Sequence, residues 1–297
     1  MYKNFFQKLL LFLICSTILY LLGISLIKKL DPSNAPSSYE SVIQSMVINT
    51  NDMDIRFDDI KGHSKTKDII KSVVIKPLEN NVHTCRLLQP PNGIIFHGYP
   101  GTGKTMMAKA VAKATDSTFI NFEWNKIEQK LYGESTKIID ALFTFANKHT
   151  PVIVFIDEID GFFSERSPLD QSHVNSVKTF MLSKMDGVLS RPSNFIFIGA
   201  TNNLHTVDKA IRRRMRTHIS FNLPDSFDRI NLFKEFLEEH ADESLDYESI
   251  SAKTEGMSGS DIFELCKHAA HSAYDSHMSI DFKICEQHII SSLDLIS

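Results

Sequence analysis

Apolar and polar positions along this chain follow two alternating registers. Short apolar runs of strand length recur at Ile94 to His97, Phe119 to Phe122, Val152 to Ile156, Phe195 to Ile198 and Ile219 to Phe221. Between them lie longer segments with apolar residues three and four apart, notably Ser135 to Lys148 and His173 to Met185, and a helix-forming stretch at Met106 to Ala114. Short apolar runs bounded by turn formers read as buried strands, and the longer period reads as amphipathic helix. Alternation of the two predicts an α/β fold in which a parallel sheet lies between helices. Functional groups should then gather at the carboxyl ends of the strands.

A third pattern stands apart. Leu9 to Ile27 carries no charge and is flanked by Lys3 and Lys8 on one side and Lys28 and Lys29 on the other. About 20 helical residues span a bilayer core, so the segment reads as a single N-terminal transmembrane helix. A cleaved signal peptide would have a shorter apolar core and a clear small-residue cleavage site. The flanking lysines are nearly symmetric and give no orientation. Asp31 to Ser38, with two prolines, reads as linker, and Tyr39 to Asn49 has room for a short helix.

Composition narrows the function classes. The 297 residues include 32 Lys and Arg against 36 Asp and Glu, a formal charge of −4. That balance argues against nucleic acid as a partner. The four cysteines (Cys15, Cys85, Cys266, Cys285) form no C-x-x-C pair, which fits a reducing compartment and offers no zinc site. The histidines, His63, His97 and His149 among them, show no zinc spacing and read as packing or surface residues; Trp124 reads as core.

The chemistry begins at Gly98-Tyr99-Pro100-Gly101-Thr102-Gly103-Lys104-Thr105, which matches the phosphate-binding pattern G-x-x-x-x-G-K-[ST] and precedes Met106 at the start of the helical stretch. The glycines let backbone N–H groups turn around a phosphate chain, Lys104 reaches the β- and γ-phosphates, and the Thr105 hydroxyl suits Mg2+. The helix that follows points its positive end at the same place. Some fifty residues later a buried strand ends in Asp157-Glu158. Asp157 is placed to hold Mg2+, and Glu158 to orient the attacking water. Asn202 closes the next strand and can fix the geometry of that water. Arg213 and Arg214, within a run of four arginines at Arg212 to Arg216, suggest an arginine finger offered to a neighbouring subunit's ATP.

In this order the motifs resemble the AAA ATPases. The match runs from Phe57 to about Tyr274 and includes FDDIKGH at Phe57 to His63, KLYGES at Lys130 to Ser135, VFIDEID at Val154 to Asp160, MDG at Met185 to Gly187, GATN at Gly199 to Asn202, RRR at Arg212 to Arg214 and GMSGSDI at Gly256 to Ile262. The paired arginines and single ATPase domain are similar to the meiotic clade. The layout is similar to its membrane-anchored branch, the outer-mitochondrial-membrane dislocases that extract mislocalised tail-anchored proteins.

The resemblance implies a P-loop AAA domain followed by a small α-helical lid. It divides the chain into an anchor at 1–30, a linker at 31–55, a large domain at 56–223 and the lid at 224–297. It implies a homo-hexamer with ATP at each subunit boundary, Asp59 and Gly62 at the adenine, Gly259 and Ser260 of the lid near the nucleotide, and Leu131 and Tyr132 in a pore loop that grips polypeptide. A site that uses ATP must face it, which makes the AAA domain cytosolic. The outer mitochondrial membrane is the favoured location, with peroxisome and endoplasmic reticulum open. Three positions depart from the family: Leu131 replaces an aromatic residue, Lys61 a glycine and Asn203 an arginine. No HExxH motif marks a protease. A tethered remodeller of another complex, or a scaffold that binds ATP without hydrolysing it, remains the alternative.

Overall fold

The structure, a computed structural model, describes residues 38–79, 85–124, 134–163, 172–189, 195–277 and 282–296. The expected anchor and the expected pore-loop residues Leu131 and Tyr132 lie outside them. Among the described residues, no helix is long and apolar enough to cross a membrane.

The chain enters through α1 (Ser38–Gln44) and β1 (Val47–Ile48). Next come α2 (Ser64–Ile70), β2 (Gly93–Gly98), α3 (Lys104–Ala114), β3 (Thr118–Asn121), α4 (Ser135–Lys148), β4 (Val152–Ile156), α5 (Ile159–Phe162), α6 (Ser172–Leu189), β5 (Phe195–Thr201), α7 (Lys209–Arg214) and β6 (Thr217–Phe221). The strands form one sheet in the order β1-β3-β4-β5-β2-β6. The last five are parallel, as the alternating pattern predicts. β1 is the departure: it pairs antiparallel with β3, Val47 opposite Ile120. Two residues are too few to carry a period, so the sequence offers no sign of this strand.

Part of the expected linker packs with the folded unit, and α1 overlaps the short helix expected at Tyr39 to Asn49. Ile43 and Met46 are buried in the main core and β1 extends the sheet. The folded unit therefore includes residues from Ser38 onward. α1 packs on α4, and Tyr39 donates from its hydroxyl to Glu134 at 2.7 Å.

Strand alternation builds both halves of the core. Ile95, Val154, Ile156, Phe195 and Phe197 face α4 and α6, where Ile138, Ile139, Leu142, Met181 and Met185 cover them. Their neighbours Ile94, Phe96, Ile153, Phe155, Ile196 and Ile198 face α2 and α3, against Ile70, Met107 and Val111. β4 and β5 are buried along their whole lengths, so apolar side chains on both faces leave no polar alternation to read.

The lid is α8 (Ser226–Leu237), α9 (Tyr247–Lys253), α10 (Gly259–His277) and α11 (Glu286–Ile296). Phe233, Leu237, Ile250, Leu265, Ala269 and Ile289 form its separate core. Asp225 and Asp246 cap α8 and α9 by accepting backbone N–H groups, and Ser258 with Asp261 does the same for α10.

Candidate functional site: the phosphate loop and its surroundings

The loop leaves β2 at Gly98 and enters α3 at Lys104, between strand tips at the carboxyl edge of the sheet. Gly98 has φ 148°, and a Cβ there would sit 1.9 Å from the carbonyl oxygen of Phe221. Its small size is thus required by the approach of β6, and only indirectly by the phosphate. At Gly101, φ is 70°, and a Cβ would meet Ser258 Oγ at 2.4 Å and Ser260 Cβ at 2.9 Å. The lid therefore rests on the loop, and any side chain at Gly101 would push it away. Gly103, left-handed at φ 82°, opens α3.

Lys104 is buried to 7 % exposure. Its ammonium donates to the carbonyls of Gly98 at 2.9 Å and Tyr99 at 2.7 Å, and to Asn202 Oδ1 at 2.9 Å. Burial lowers its pKa, and the charge of Asp157 opposes that shift. Thr105 donates from its hydroxyl to Asp157 Oδ2 at 2.9 Å. Four predicted groups from three chain segments thus converge: Lys104 with Asn202, and Thr105 with Asp157. A hydroxyl and a carboxylate oxygen in contact are a hard-donor pair that suits Mg2+, and the buried cation suits a phosphate. The residues present therefore fit Mg–ATP.

Glu158 is exposed beside them, with φ 47° in the left-handed region. Its backbone N–H donates to Asp157 Oδ1 at 3.0 Å. A non-glycine residue held there costs about 1–3 kcal/mol, and such strain collects at functional sites. Tyr99, Pro100 and Met106 are exposed around the loop, while Thr102 is buried and donates from its hydroxyl to the Tyr99 carbonyl at 2.7 Å. Lid residue Ser260 donates from its backbone N–H to the Gly101 carbonyl at 3.1 Å, and Gly259 lies against the same oxygen. Asp59 accepts from the Arg56 N–H at 2.8 Å, so its carboxylate closes a local turn. Gly62, at φ 72°, lies under the carboxyl group of Asp228.

The paired arginines are elsewhere. Arg213 and Arg214 end α7, just before β6 begins, while the phosphate loop leaves the far end of β2. At ~3.3 Å per strand residue they stand roughly 15 Å from their own loop. The two are also unequal. Arg214 clasps Asp186 with Nε and Nη2, both at 2.7 Å, and donates from Nη1 to the Ala210 carbonyl. That fork holds the Asp186 carboxyl below its usual range. Arg213 is exposed, and among the described residues its guanidinium has no hydrogen bond or ion pair. With Arg216, Pro91 and Asn92, the pair lines a cavity of about 420 Å³.

Sequence reasoning missed three participants. Asp186 shows only as part of a motif, and Asp228 lies in a lid helix with no motif at all. His63 was read as a packing or surface residue, yet its Nε2 lies 3.0 Å from the Thr102 carbonyl. Asp186 is revealed only by the packing of α6 beside α7, and Asp228 and His63 only by the approach of residues 62–63 to the lid and the loop.

The chain is similar to known proteins in sequence and in fold. Residues 94–224 match the family model "ATPase family associated with various cellular activities (AAA)", and residues 244–291 match the AAA+ lid domain. The chain is 38 % identical over 238 residues to the outer mitochondrial transmembrane helix translocases of Danio rerio and Homo sapiens, covering 79 % of this chain and 66 % of each relative. It is 35 % identical over 233 residues to the "Mitochondrial sorting homolog" of Caenorhabditis elegans, covering 78 % of this chain and 68 % of that one. A structure from work on katanin self-assembly superposes with TM-score 0.73 at 27 % identity, over 89 % of this chain and 93 % of that one. The FIGL-1 AAA domain in complex with ADP gives 0.74 at 27 %, over 87 % and 90 %. On the loop, the paired strand-end groups, the lid and these relatives together, the chain, which spans just under two thirds of the length of the translocases it matches, belongs to the AAA ATPases and is closely related to the outer mitochondrial transmembrane helix translocases.

Proposed function

We propose that this chain is a membrane-anchored ATP hydrolase that pulls membrane proteins, mislocalised tail-anchored ones among them, through the pore of a homo-hexamer. The anchor is the apolar segment at 1–30, the AAA domain is cytosolic, and the membrane is the outer mitochondrial membrane. The observation that carries the ATPase reading is the convergence of Lys104 with Asn202 and of Thr105 with Asp157 on one loop. The names of the translocase relatives support the substrate class and the membrane.

Bound Mg2+ would neutralise phosphate charge, and Thr105 and Asp157 would hold it. Lys104 would also neutralise phosphate charge, and its ammonium holds Asn202 through Oδ1. Glu158 accepts a proton from the attacking water and aims it. Positioning and charge compensation of this kind supply most of the catalysis in phosphoryl transfer. Arg213 completes the site of the adjoining subunit, since a strand length separates it from its own. Leu131 and Tyr132 contact the polypeptide, Tyr132 with an aromatic face and Leu131 with an aliphatic one.

The test is extraction of a tail-anchored protein from liposomes by the full chain in the same bilayer. ATP should move the substrate into the soluble fraction, and Glu158→Gln should leave it in the membrane. Equal release without ATP contradicts the proposal.

A further inference from the structure

His63 has no part in the hydrolysis proposed above, yet it sits where residues 61–63 run between the lid and the phosphate loop. Its backbone is left-handed at φ 57°, a region few non-glycine residues occupy. Its ring leans on Phe221 with centroids 5.3 Å apart. A carbonyl oxygen only accepts, so the 3.0 Å contact with Thr102 requires that Nε2 carry the proton and donate. On the other side, the Asp228 carboxyl of α8 lies near enough for its charge to act on His63. All three atoms of that carboxyl lie 3.0–3.2 Å from where a Cβ of Gly62 would be. Glu235, two turns along α8 on the same stripe, meets Lys61 at 3.2 Å. Lid helix α8 is thus laid along residues 61–63, and His63 passes the contact to the loop.

The consequence lies in the peptide planes. In a planar trans peptide, C=O and N–H point in opposite directions. Ser260 holds the Gly101 carbonyl and His63 holds the Thr102 carbonyl. Fixing the second fixes the N–H of Gly103 on the opposite side, and backbone N–H groups are what a phosphate loop offers its anion. Burial lowers the pKa of His63, against the raising effect of Asp228, and Lys67 lowers it further, which suits a neutral donor.

We propose that His63 is a positioning residue that ties the lid to the phosphate loop and so governs how long ADP is held. The proposal rests on the reading that this loop binds adenine nucleotide.

The experiment measures release of a fluorescent ADP from the full chain by stopped flow, with thermal melting of each variant with and without ADP. His63→Leu keeps bulk against Phe221 but has no donor; His63→Gln restores an N–H. The expected result is a three- to tenfold faster release for His63→Leu and a rate within twofold of the parent for His63→Gln. The unliganded melting temperature should be retained in both, with a smaller ADP-induced rise for His63→Leu alone. Asp228→Ala, which cuts the lid side of the relay, should also speed release. Parental release from folded His63→Leu overturns the proposal, and so does equal acceleration in His63→Leu and His63→Gln. If the parent chain itself binds no ADP, the nucleotide reading fails first and the relay with it.

Discussion

Single residues decide whether the loop binds, turns over or merely packs. Lys104→Ala removes a buried cation held by three acceptors, and should abolish ATP binding in a fluorescence titration. Glu158→Gln keeps that cation and the Thr105–Asp157 pair, so it should bind ATP normally with turnover reduced at least a hundredfold in a phosphate-release assay. Cys266 offers a test of the lid core. Burial pushes its thiol up to about 12. The reactive thiolate is therefore scarce below that pH, and the folded lid should resist alkylation at pH 8 while denaturant restores labelling. Rapid labelling in the native state would mean that the lid opens. At this scale the sequence was informative wherever the chemistry sits in one run: the loop, Asp157-Glu158 and Asn202 were all legible. Asp228 and His63 were not, because their partners are separated along the chain by the whole sheet. Asp186 was visible as a letter in a motif, but its bidentate grip on Arg214 needs α6 beside α7.

Among the elements, the five parallel strands were legible from their apolar runs, and α4 from its apolar stripe. β1 and the true start of the folded unit were not. A two-residue strand has no pattern, and the polar face of α1 resembles a linker until Ile43 is seen inside the core. Ile43 is fully buried, so Ile43→Ala should cost about 2–5 kcal/mol, measured as a shift in the denaturation midpoint. A loss under ~0.5 kcal/mol would return this segment to the linker. The position of α1 against α4 also has a mechanical meaning. The helix that follows the expected anchor is fastened to the helix that follows the expected pore loop.

For the whole molecule, the sheet carries two kinds of group at its two ends. Its carboxyl edge holds Lys104, Asp157, Glu158 and Asn202, and its opposite edge holds Arg213 and Arg214. On the proposed reading, this separation makes each chain half of two sites, and hydrolysis belongs to an assembly. The division of labour between the arginines follows from their partners: Arg213 has its charge available, and Arg214 must first leave Asp186. The most direct measurement is ATP hydrolysis by mixed assemblies of Arg213→Ala and Glu158→Gln chains. The first keeps its own site and the second keeps its arginines. Each should be nearly inactive alone, and mixing should restore a substantial fraction of parental activity at boundaries where an intact site meets an intact arginine. Persistent inactivity of assemblies shown to contain both chains, or parental activity of Arg213→Ala alone, would contradict a site shared between subunits.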